Sequence, residues 1–130
     1  MWCAATIWTE PELPYEFRKI CAQALLFHDI KEDTVDPLPS WVPEIVVDLV
    51  DKLTFLGGTA EEVEEVWKRP EEVRLMKLYD KVSSLLDVGA LPEAEKAVFV
   101  AHTKRLLKDV EENYGELNIT RIARGLLSTM

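Results

Sequence analysis

The chain predicts an all-α protein, a single domain over residues 1–130 built as a compact bundle of about six helices. Three observations carry that expectation. Apolar residues recur at i, i+3, i+4 spacing in one stretch after another, the pattern of a helix that buries one face. No stretch alternates apolar and polar residues with the period of two that a half-buried strand needs. Proline or paired glycine stands where one periodic stretch gives way to the next.

The first clear helix carries Phe17, Ile20, Cys21, Ala24 and Leu25, with Leu26 and Phe27 widening the stripe, and "ELPYEF" gives it a proline-marked start. The stretch "DTVDPLPSWVP" holds three prolines in the seven residues from Pro37 to Pro43, so it must be a loop. Ile45, Val46, Leu49, Val50 and Leu53 mark a second helix, which Gly57 and Gly58 close off. Thr59 with Glu62 then has the spacing of a capping box for "AEEVEEVW".

Pro70 opens the next helix, with Glu71 and Glu72 suited to its N-terminal dipole. Leu75, Leu78, Tyr79, Val82, Leu85 and Leu86 form its apolar stripe, and Lys77, Asp80 and Ser84 follow i, i+3, i+7 on an adjacent face. Asp80 with Lys77 or Lys81 reads most simply as a solvated ion pair. A long helix from about Pro92 to Asn113 follows, and "NITRIARGLLS" forms a short last one.

Composition excludes several classes. Hydrophobic residues make up 48% and charged residues 30% of the chain, the balance of a globular domain with its own core. The formal net charge of −9 opposes nucleic-acid binding, which wants clustered Lys and Arg. Apolar runs such as "ICAQALLF" and "IVV" fall far short of the ~20 residues that cross a bilayer. The start "MWCAATIWTE" has no basic region and reaches Glu10 quickly, so no secretory signal and a cytoplasmic location are expected. Cys3 and Cys21 make no CxxC pair; two reduced thiols are the expectation, and one disulfide the alternative.

The stretch that raises a chemical question is "ALLFHDIKEDT". Its apolar run gives way to His28 and Asp29, with Glu32 and Asp33 close behind. An imidazole with carboxylates suits Mn²⁺, Fe²⁺ or Zn²⁺. An acidic helix end meeting water would look the same. Adjacent residues point about 100° apart on a helix, so His28 and Asp29 could share an ion only near a helix end or a distortion. The rest of such a site would come from elsewhere, and Asp80 in "LMKLYDKV" stands one step round from a buried stripe.

"ALLFHDIKEDT" closely resembles the "LLHDxxEDT" motif of HD-domain metal-dependent phosphohydrolases, in particular the RelA/SpoT-type guanosine tetraphosphate hydrolases and their small stand-alone relatives. "VVDLVDKLT" is similar to the family's "LVxGVxKLT" helix, and "VRLMKLYDKVSSLLD" to its "xxLIKLADRLHNLRD" helix, so the resemblance covers nearly the whole chain in the family's order. It implies an HD-domain-like bundle with His28, Asp29 and Asp80 as metal ligands, Mn²⁺ as the metal, and Glu32 and Asp33 orienting and activating a water. The implied activity is (p)ppGpp-pyrophosphohydrolase-like hydrolysis of a nucleotide, with Lys77, Lys81 and Ser84 near the substrate.

Two departures qualify the implication. The family has a further His ligand upstream, but the matching window from Trp2 to Ala4 holds none, so the chain reads as an N-terminally shortened member. Cys3 lies in that window. Ser83 and Ser84 stand where the family has His-Asn, whose Asn contacts the nucleotide. His102 reads as a partly buried helix histidine rather than a replacement ligand. These departures give a second expectation: a catalytically impaired HD domain serving as a protein-interaction module. A homo-oligomer then becomes possible, with Trp2, Ile7 and Trp8 as candidates for an exposed surface or for the core.

Overall fold

The computed structural model describes residues 2–33, 37–87 and 92–130, the side chains of Lys31, Glu32 and Asp33 excepted. The fold is all-α: among the described residues there are seven α-helices, one 3₁₀ turn and no strand. The chain divides into two compact units, Met1–Arg69 and Pro70–Met130.

The first unit contains α1 (Trp2–Trp8), α2 (Tyr15–Asp33), α3 (Glu44–Leu53), α4 (Thr59–Glu65) and the 3₁₀ turn Val66–Lys68. Helix α2 is its centre and packs against both α1 and α3. Cys21, Ala24 and Leu25 are buried at the spacing the sequence showed, as are Val46, Leu49, Val50 and Leu53 of α3. Helix α1 lacks a long periodic stripe, which is why sequence periodicity did not assign it; Cys3, Ala4 and Ile7 form its short buried face. Ile7 therefore belongs to the core. Trp8 remains 40% exposed, edge-on to Tyr15 at 5.4 Å, with the Arg18 guanidinium over its ring.

The start of α4 differs from the expected capping box. Gly58, at φ 72°, is the N-cap and offers no side chain, so Thr59 is already the first helical residue. No side chain caps the helix; the Glu61 carboxylate instead reaches back past the cap and accepts the Gly57 N–H at 2.5 Å. Glu62, the other half of the expected box, is buried instead. Cys3 and Cys21 are both buried, and no disulfide joins them.

The second unit contains α5 (Glu71–Leu85), α6 (Glu93–Tyr114) and α7 (Asn118–Leu127). Pro70 is the N-cap of α5, as its fixed φ and missing N–H favour. Helix α5 packs on α6 and α7, and α6 on α7. Two polar contacts fix these helices in register. The Tyr79 hydroxyl donates to Asn118 Oδ1 at 2.7 Å, and Arg74 Nε donates to Asp109 Oδ2 at 2.8 Å. Gly115, at φ 77°, ends α6 in the left-handed conformation that a side chain resists. Thr120 Oγ1 then accepts the Leu117 N–H at 2.9 Å and secures the start of α7.

Candidate functional site

The candidate residues are shared between the two units, and each share has its own local construction. In the first unit the decisive element is the second half of α2. Cys21, Leu25 and His28 follow i, i+4, i+7, so His28 occupies the register position of the next core residue. Its imidazole is accordingly 1% exposed. Asp29, one step round the helix, is half-buried. The helix does not end at this pair, as the apolar run alone would suggest, but continues to Asp33. His28 and Asp29 thus diverge by the ordinary helical step.

Glu32 and Asp33 fall in the last turn of α2, and their side chains lie outside the described residues. The distribution of charge is still informative. The last turns of α2 carry Asp29, Glu32 and Asp33 against Lys31 alone. Negative charge at a helix C-terminus opposes the macrodipole by roughly 0.3–1 kcal/mol per group. This end of α2 would gain from a nearby cation.

In the second unit the candidate residues line α5. Lys77, Asp80, Lys81 and Ser84 follow i, i+3, i+4, i+7, the spacing of one continuous stripe. Both lysines are buried: the Lys77 side chain is 3% exposed and that of Lys81 8%, while Asp80 keeps 16%. This corrects the expectation of a solvated ion pair. The two ammonium groups converge on one atom, Asp80 Oδ2, at 3.4 Å from Lys77 and 3.5 Å from Lys81.

Phe99 of α6 completes the cluster, with Lys81 Nζ 4.9 Å from its ring centroid, a cation–π distance. No sequence motif singled out Phe99; its only signal was membership of the apolar face of a long helix. Ser84 Oγ donates to the Asp80 carbonyl at 3.1 Å, so its hydroxyl is turned to its own helix. His102 is buried on α6, as a helix histidine packed within the protein.

The donor types suit a divalent ion, since His28 offers nitrogen and Asp29 and Asp80 offer carboxylate oxygen. Among the described residues, however, no three His, Cys, Asp or Glu side chains are grouped so as to hold a metal. Comparison with protein-family models, curated proteins and solved structures returned no match to any of the three. Among the described residues no helix is long and apolar enough to cross a membrane.

Proposed function

We propose that this chain is a metal-dependent phosphohydrolase acting on a nucleotide, of the (p)ppGpp-pyrophosphohydrolase type. The observation that supports it most is the pair of buried ammonium groups on α5. Desolvating a lysine costs several kcal/mol, and an apolar residue of similar volume at either position would avoid that cost. Buried cations held beside a carboxylate are more readily understood as equipment for an anionic substrate than as a device for stability.

In this reading His28, Asp29 and Asp80 supply ligands to Mn²⁺, an assignment that rests on the order of the motifs in the chain. A divalent ion so bound would bring the pKa of its water toward neutrality. Glu32 and Asp33 would orient that water and accept its proton. Lys77 and Lys81 would hold phosphoryl oxygens, and Ser84 would stand near the nucleotide. The test is release of pyrophosphate from guanosine tetraphosphate by purified protein with Mn²⁺ and with excess chelator. Turnover that requires Mn²⁺ and is lost in Glu32→Gln supports the reading; no turnover with this or other purine nucleotides rejects it.

Two observations favour a second reading, an impaired HD domain that binds a protein partner. The described side chains do not assemble a metal shell, and Trp41 is 72% exposed, edge-on to Phe27 at 5.7 Å. Light scattering checks it: a homo-oligomer that Trp41→Ser dissociates, together with absent turnover, would favour the module.

A further inference from the structure

An apolar face stands open on the first unit, and the charge around it selects what can cover it. We propose that the Trp41–Ile45 face docks a basic amphipathic helix of a partner protein. The inference rests on the partner-binding reading, to which it adds the partner's chemistry, and it uses none of the residues assigned to hydrolysis.

The face follows from the register of α3 and of the turn before it. Val42 and Val46 are buried. Trp41 and Ile45, each one position earlier, are turned outward and are 72% and 55% exposed. The Val42 N–H donates to the Pro39 carbonyl at 3.1 Å, so the turn that presents Trp41 is held by its own backbone. Phe27 of α2 meets the Trp41 ring edge-on at 5.7 Å. An indole braced by a second ring has less freedom to lose when a partner arrives. A Trp so placed, with most of its surface in water and an exposed Ile four residues on, has the form of a binding anchor.

Charge decides the occupant. Glu44 and Asp48 stand beside Ile45 on α3 and are exposed. Lys52 is the one basic residue of that helix, and Asp48 engages it at 2.9 Å. The whole unit has the same sign. Residues 1–69 hold 14 Asp and Glu against 6 Lys and Arg, a net of −8, whereas residues 70–130 hold 10 against 9. A second copy would set two such units face to face, and an anionic lipid surface or a nucleic acid would meet the same repulsion. Among the described residues there is no strand whose edge could take up an extended peptide. The occupant that fits is a helix with bulky apolar residues along one side for Trp41 and Ile45. Lys or Arg alongside them would face Glu44 and Asp48.

The experiment is fluorescence anisotropy of a labelled Leu–Lys amphipathic helix of about 15 residues, titrated with the full chain. A Leu–Glu helix of the same apolar pattern is the second probe. Wild type should bind the Leu–Lys helix, and the Leu–Glu helix at least about tenfold more weakly. Trp41→Ser should weaken Leu–Lys binding by about tenfold or more. Leu86→Ser, at an exposed apolar position of the second unit, should leave it unchanged. Glu44→Lys/Asp48→Lys should reverse the preference between the probes. Circular dichroism checks that each variant is folded; should Trp41→Ser not be, Ile45→Ser takes its place with the same expectation. Absent Leu–Lys binding, equal binding of the two probes, or Leu–Lys binding that Trp41→Ser leaves intact overturns the proposal. Light scattering and sedimentation with phosphatidylglycerol vesicles address the other occupants. A dimer that Trp41→Ser dissociates overturns the basic partner while upholding the partner-binding reading. Vesicle binding that Trp41→Ser abolishes overturns both.

Discussion

Replacing Lys77 with Met separates a structural ion pair from a functional cation. The Lys77 side chain is 3% exposed and its ammonium stands 3.4 Å from Asp80 Oδ2. If the pair served stability, removing one partner would strand a buried charge and cost about 3–5 kcal/mol. Two features of the site oppose so large a loss. Asp80 keeps Lys81 at 3.5 Å, and with 16% of its side chain exposed it retains access to water. Methionine has nearly the same length and volume, so no cavity opens. It also removes the desolvation cost of an ammonium, which is several kcal/mol and works in the variant's favour. The net change should therefore lie within about 1 kcal/mol of zero, or about 3–5 °C in melting temperature for a chain of this size. Urea unfolding followed by circular dichroism measures it, and pyrophosphate titration on the same samples should show binding lost. A destabilisation of about 3 kcal/mol or more, with pyrophosphate binding unchanged, would refute the functional reasoning and make the pair structural.

Three further predictions concern the framework around the candidate residues. Tyr79→Phe removes the hydroxyl that donates to Asn118 at 2.7 Å; it should cost about 1 kcal/mol in urea unfolding, and no loss would mean that the bond does not tie α7 to α5. Leu25→Ala, at a fully buried position of α2, should cost about 2–5 kcal/mol, and a loss well under 1 kcal/mol would contradict the packing of α2. Glu116 is held below the ordinary carboxyl value of 4.5, first by the Thr120 hydroxyl and next by Arg124. Its folded pKa is thus lower than its unfolded one, so its contribution is complete above the unfolded value and disappears as pH falls through the folded one. Glu116→Gln should flatten the stability profile in that acid range and leave the slope at neutral pH unchanged, which unfolding curves across the acid range would reveal.

The helices were largely legible because their signals are local. The stripes of α2, α3 and α5 gave most of their buried faces, although Ile45 and Leu86 are exposed, and Pro14, Pro43, Pro70 and Pro92 stand immediately before four of the helix starts. Helix α1 was not legible from periodicity, since seven residues hold too few turns to establish a stripe. The start of α4 was misread for a different reason: Thr and Glu at capping-box spacing do not reveal that a glycine has already taken the cap position.

For the candidate site, the residue types can be read in the sequence but their surroundings cannot. Lysines at 77 and 81 look solvated in a string, because burial of a charge depends on what packs over it. The contacts of both with Asp80 lie within one helix, where spacing gives the pairing but not its burial, whereas Lys81 meets Phe99 from a separate helix. His28 shows the converse. Its burial was already implied by the register Cys21, Leu25, His28, which continues the core stripe whether or not the imidazole also binds an ion.

The central claim is that His28, Asp29 and Asp80 serve a single divalent ion, and Mn²⁺ binding tests it most directly. Calorimetric titration of metal-free protein should give one Mn²⁺ per chain, and that binding should weaken by at least about tenfold in both His28→Ala and Asp80→Ala. Titrations that show no Mn²⁺ binding to folded wild type at millimolar metal would contradict the account. So would binding that either substitution leaves intact.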